Sequence, residues 1–209
     1  MRLAALLVIT VGLGAALVVN TVETAPALPF YDSADFQPRW TASVDHRISD
    51  FALVAQDGAP LRRADLLGRI HVATFIYTRC AGVCPAMVTQ LKRVQRAIEQ
   101  RSDVTLVSYT VTPQVDTPDM LDRFGKERGI NPAVWKLVTG DAKQIYGLAR
   151  QSYFADDSRL EDQPSGAEDF LHTEKALLVD QQGRLRGVYN ATVPHDIENL
   201  IADIGALGR

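Results

Sequence analysis

Across 209 residues the chain carries 22 Lys and Arg against 25 Asp and Glu, a formal net charge of −3, and 46% of it is hydrophobic. That balance, with no basic stripe to follow a phosphate backbone, excludes a nucleic-acid-binding surface. No internal repeat, low-complexity tract or glycine-rich phosphate loop interrupts it, and the roughly 180 residues beyond the first apolar stretch suffice for one domain with its own core.

Residues 3–19 hold no charge and follow Arg2. As a helix they would reach roughly 25 Å, slightly short of a bilayer's hydrocarbon core yet longer than the usual apolar region of a signal peptide. Pro26 makes Ala25-Pro26-Ala27 a poor cleavage site. Residues 1–22 therefore read as a transmembrane anchor or a signal segment, with a buried soluble helix as the third alternative. Either export reading leaves Arg2 inside and the rest of the chain outside the cytoplasm. Residues 23–44 include PALPFYDSADFQPRW, which has no period and reads as a linker or surface extension. Residues 45–209 form the domain.

From residue 48 the periodicities alternate. Residues 48–55 and 59–61 flank Gln56-Asp57-Gly58, whose Asp-Gly suits turn positions with φ > 0, and so predict a hairpin. Residues 70–77 are a β-branched and aromatic run of the length of a buried strand, and residues 78–84 make a compact loop. Pro85 supplies the fixed φ of a first helical turn, and Met87, Val88, Leu91, Val94 and Ile98 follow at helical spacing. That helix begins at the second cysteine. Cys84 is thereby expected beside free N–H groups and the positive end of the helix dipole, both of which stabilise a thiolate.

A second apolar strand is predicted over 104–111, a helix over 118–128 with Thr117 as N-cap, a strand over 135–138, and a helix capped by Asp141 that runs to about Arg150. Residues 176–179 and 185–189 pair around Gln181-Gln182-Gly183, and a helix over 194–207 closes the chain. Between them residues 155–169 form an acidic, polar surface loop that stops just before His172. Strands alternating with helices imply a partly parallel sheet covered on both faces. The terminal antiparallel hairpin narrows this to a thioredoxin-like α/β domain with an N-terminal β-hairpin extension.

Cys80 and Cys84 are the only cysteines. A purely structural disulfide would close a tiny loop worth only about 2 kcal/mol in the chain-entropy model, a staple that a domain of this size hardly needs. A redox dithiol and a soft-metal site are the other readings. Two thiolates at a helix start can converge on one ion, and Cu(I) accepts the two- or three-coordinate Cys/His sets that zinc extends to four. Of the histidines, His71 opens the buried strand and reads as core, His46 sits in the linker region, and His195 lies in the first turn of the last helix as a solvated or capping residue. His172 differs because it ends the acidic loop at the end of the sheet expected to face the cysteines. Met87, one turn past Cys84, is a possible soft ligand but reads first as a core residue.

Phe75-Ile76-Tyr77-Thr78-Arg79-Cys80-Ala81-Gly82-Val83-Cys84-Pro85, Asp116-Thr117-Pro118, Trp135 with Thr139-Gly140, and His172 followed by Leu178-Val179-Asp180 and Gly183 resemble the Sco/SenC family. Its members are thioredoxin-fold copper proteins that help assemble the copper centre of cytochrome c oxidase. The resemblance spans roughly residues 45–207, with Cys-x-x-x-Cys-Pro and a distant His as its most specific element. Leu28-Pro29-Phe30-Tyr31 and Phe36-Gln37-Pro38-Arg39-Trp40 look like the segment preceding the domain in bacterial members.

The resemblance implies that Cys80, Cys84 and His172 bind a single Cu(I) or Cu(II) for delivery to the copper-bearing oxidase subunit, with an exported thiol reductase as a second partner. It favours a single-pass inner-membrane protein, anchored by its N-terminal helix with the domain facing the periplasm, over a cleaved periplasmic form. The alternative function is a thiol–disulfide oxidoreductase acting on the oxidase subunit's cysteines; neither cysteine fits a peroxiredoxin pattern. Two departures stand out: Val111-Thr112-Pro113 replaces the family's Val-Asp-Pro, and Leu171 precedes the histidine where Asp is common.

Overall fold

A computed structural model describes residues 28–41, 43–155 and 173–208. The apolar segment at 3–19, nearly all of the acidic loop, and His172 lie outside them. No helix among the described residues is long and apolar enough to cross a membrane.

Strands β1 (Ala52–Ala55) and β2 (Pro60–Arg62) form the expected hairpin, followed by a short helix α1 (Arg63–Leu66) that the sequence reading left out. The chain then runs through β3 (Ile70–Ile76), α2 (Cys84–Ile98), β4 (Val104–Thr110), α3 (Pro118–Arg128), β5 (Trp135–Thr139) and α4 (Ala142–Gly147). Strands β6 (Lys175–Val179) and β7 (Leu185–Asn190) and helix α5 (Pro194–Leu207) complete it. One seven-stranded sheet results, in the order β2-β1-β5-β4-β3-β6-β7. Strands β3, β4 and β5 are parallel and the outer pairs antiparallel. This is the mixed, thioredoxin-like sheet that the alternation predicts.

Every residue of β3 and β4 is buried, as expected of central parallel strands covered on both faces. Ile70, Val72 and Ile76 face α2, α3 and α5, while Ala73 and Phe75 face α4 and the N-terminal hairpin. Helix α2 inserts Met87, Leu91, Val94 and Ile98 into the first of these layers, each side chain contributing roughly 1.5–3 kcal/mol of burial. Met87 is therefore a core residue. Helix α3 stops where Gly129 takes φ 67° and returns its N–H to the Gly125 and Lys126 carbonyls.

Two expectations change in detail. The first strand is confined to Ala52–Ala55, because Ile48 N–H donates to the Gly183 carbonyl and Ser49 N–H to Ser152 Oγ instead of pairing with β2. The helix expected to reach Arg150 ends at Gly147 and continues as a π-helical turn, Leu148–Ser152. The wider turn buries Leu148, Ala149 and Ser152, and places the Ser152 carbonyl 2.8 Å from His46 Nε2, tertiary contacts that sequence periodicity does not encode. The segment read as a linker or surface extension is anchored where it begins. Phe30 is 2% exposed beneath the Arg186 guanidinium, 3.9 Å from its ring, and Arg186 donates to the Leu28 and Pro29 carbonyls.

Candidate functional site

The C-terminal end of β3 leads through a tight loop into α2, and both cysteines sit there as thiols, each buried. Val111 N–H donates to the Ile76 carbonyl and Cys80 N–H to the Tyr77 carbonyl, which folds the loop back on the sheet end. Helix α2 has no side-chain cap from Val83. The Cys80 sulfur fills that role: Cys84 N–H, at the helix's first residue, donates to Cys80 Sγ at 3.3 Å.

This geometry reverses the expectation that the helix start activates Cys84. Burial pushes the Cys80 thiol up, but hydrogen bonds from the Cys84 thiol and N–H, the Gly82 N–H and the Tyr77 hydroxyl more than offset it, so Cys80 is held below the ordinary thiol value. Cys84 is pushed up to about 12, first by burial beneath the helix and then by its hydrogen bond to Cys80. The first N–H of the helix therefore serves the residue four positions earlier. Cys80 is thus the more acidic thiol of the pair and Cys84 the less acidic one.

Tyr77 was not foreseen. It lies at the end of β3, and its hydrogen bond to Cys80 is the leading cause that raises its own hydroxyl above the usual phenol value. The only sequence signal is its place between a buried strand and the first cysteine.

Behind the loop, Asp116 is fully buried and accepts from Thr78 N–H (3.1 Å), Thr78 Oγ1 (2.5 Å), Thr110 Oγ1 (2.5 Å) and Thr112 Oγ1 (2.9 Å). Thr112, the residue that departs from the resemblance, is thus a donor to Asp116.

The remaining histidines fall where the sequence reading put them. His71 is buried in the second core layer with Nε2 3.1 Å from the Tyr153 hydroxyl, and burial lowers it to about 3. His195 is exposed on α5, 3.8 Å from Glu198. Neither approaches the cysteines as a ligand, and among the described residues no group of three His, Cys, Asp or Glu side chains could hold a metal. Thr173, the first described residue after His172, lines a groove of about 440 Å³ together with Val83, the residue before Cys84. Glu174, Lys175, Val188, Tyr189 and Asn190 complete its walls.

The fold agrees with comparisons to known proteins. A solved SCO1/SenC family lipoprotein from Bacillus anthracis superposes with a TM-score of 0.69 at 28% identity, covering 79% of this chain and 97% of that one. BsSco, a member of the Sco family of cytochrome c oxidase assembly proteins in which a disulfide switch was identified, gives a TM-score of 0.65 at 25% identity over 78% and 93%. A putative copper-binding protein of Stutzerimonas stutzeri is 27% identical over 154 residues, 73% of each chain. The SCO1/SenC family model matches residues 41–207, which takes in the whole sheet, both cysteines and every helix described above. This chain belongs to the SCO1/SenC family.

Proposed function

We propose that the protein is a copper metallochaperone: Cys80, Cys84 and His172 take up one copper ion and pass it to the copper-bearing subunit of cytochrome c oxidase. The observation that carries this reading is the pair of sulfurs brought together at the tip of α2, where Cys84 N–H donates to Cys80 Sγ at 3.3 Å and Cys80 is the more acidic of the two thiols. Soft thiolates suit Cu(I), and the donor set is too small for a closed structural zinc site. Further support comes from the shared groove, since Val83 and Thr173 adjoin Cys84 and His172 in sequence. The relatives lend support, one being a putative copper-binding protein and another a member of a family of cytochrome c oxidase assembly proteins.

On this reading Cys80 meets the ion first, Cys84 gives up its proton as the second sulfur binds, and His172 completes the site. Ligand exchange with the recipient's own cysteines and histidines then withdraws the ion. The bridged form of Cys80 and Cys84 has no sulfur lone pair of thiolate character to offer, so an exported thiol reductase keeps the pair reduced. Residues 1–22 hold the domain at the periplasmic face of the inner membrane. Competition for Cu(I) between the reduced protein and a chromophoric chelator tests the assignment. Cys84→Ser and His172→Ala each weaken binding; affinities equal to the parent's refute it.

One observation favours a second reading. A lowered thiol beside a raised one is also the arrangement of an attacking and a resolving cysteine in thiol–disulfide exchange, which would make the protein a reductase of the oxidase subunit's cysteines. In copper-free buffer such an exchange rate survives His172→Ala, whereas copper retention does not.

A further inference from the structure

Asp116 is a buried acidic side chain that the copper reading leaves unused. Its two carboxyl oxygens receive four hydrogen bonds from two separate stretches of chain: Thr78 on the cysteine loop, and Thr110 and Thr112 where β4 ends and turns toward α3. The turn is rigid in its own right, since Val115 and Asp116 N–H groups both donate to the Thr112 carbonyl and Thr117 caps α3 through Met120 N–H. Thr78 stands two residues before Cys80 and next to Tyr77, and it gives Asp116 both its backbone N–H and its hydroxyl. An acceptor of this kind, fully buried and fully donated to, fixes the groups around it because each lost bond would strand a polar atom away from water.

We infer that Asp116 is a positioning residue that clamps the cysteine loop to the β4–α3 turn, and so keeps the Cys80 sulfur at the Cys84 N–H where both copper and thiol exchange need it. Thr112 is part of the clamp, since its hydroxyl supplies the donor that closes the carboxyl group on the side of the turn. The inference deepens the copper reading and rests on it only for the metal arm of its test.

The test compares Asp116→Asn, Thr78→Val and Thr78→Ser with the parent in three measurements: Cu(I) affinity by chelator competition, the Cys80–Cys84 disulfide equilibrium with glutathione, and the thermal midpoint. Asn keeps the shape but presents an amide to the Thr donors, and Val keeps the volume of Thr78 but removes the hydroxyl. Both are expected to weaken Cu(I) binding by roughly tenfold to a hundredfold, the usual effect of losing a group that orients a ligand, and to move the glutathione equilibrium toward the disulfide. Thr78→Ser, which retains the hydroxyl, restores both. If Asp116→Asn fails to fold, Thr78→Val carries the test, since it removes one donor and leaves the carboxyl group in place. A lowered midpoint with copper affinity and glutathione equilibrium both within about twofold of the parent would make Asp116 a stabilising residue only and overturn the inference. Should the parent bind no copper, the functional reading fails, and the glutathione arm still decides the clamp.

Discussion

Cys84 donates its backbone N–H to the sulfur of Cys80 at 3.3 Å. A sulfur sits where a serine or aspartate would ordinarily cap a helix, and the field of the helix start is spent on the residue outside it. The division of labour between the two thiols follows from that one contact together with the deeper burial of Cys84.

The first prediction concerns reactivity. Cys80 is held below the ordinary thiol value and Cys84 is pushed up to about 12, so a small alkylating reagent at neutral pH modifies Cys80 first. In Cys84→Ser the rate at Cys80 reaches its plateau at lower pH than the rate at Cys84 does in Cys80→Ser. Peptide mapping after timed quenching reads this, and prior labelling of Cys84 would contradict it.

A second prediction concerns acid stability. His71 is fully buried, and burial lowers it from 6.5 to about 3, with Asp180 opposing. The folded state therefore binds fewer protons than the unfolded chain between those values, and stability rises with pH across that window. His71 contributes its stability in full above about pH 6.5 and loses it as pH falls toward 3, in total on the order of 4 kcal/mol. In urea titrations at successive pH values His71→Gln flattens this slope while keeping a polar group opposite Tyr153. An unchanged slope would mean that other groups set it.

A third concerns the N-terminal segment. Asp180 is almost wholly buried and binds Arg184 at 2.9 Å and Arg186 at 3.2 Å, and Arg186 in turn holds the Leu28 and Pro29 carbonyls. Asp180→Ala leaves the buried Arg186 charge without its counterion, at a cost of about 3 kcal/mol. Denaturant unfolding measures the loss, and limited proteolysis near Phe30 accelerates with it. A cost near zero would show that the segment is held by Phe30 packing alone.

Much of this architecture is legible in the sequence because local signals coincide with tertiary ones. Thr117-Pro118 marks the start of α3 and Pro194 the start of α5, and both helices run over the residues their apolar spacing predicts. The strand–cysteine–helix unit is legible for a similar reason, since a buried run, a short loop and a proline leave little freedom. What escaped depends on contacts distant in sequence. The π-helical turn at Leu148–Ser152 answers to Ser49 and His46, about a hundred residues earlier. Asp116 is visible as part of a motif, but its role needs Thr78, 38 residues earlier, beside its neighbours Thr110 and Thr112. That Cys80 rather than Cys84 is the more acidic thiol turns on where one sulfur points, which no spacing rule records.

X-ray absorption on the Cu(I)-loaded, reduced protein tests the central claim most directly. The account predicts a shell of two sulfurs and one imidazole nitrogen, with the nitrogen lost in His172→Ala and one sulfur lost in Cys84→Ser. A sulfur-only shell that His172→Ala leaves unchanged would contradict it.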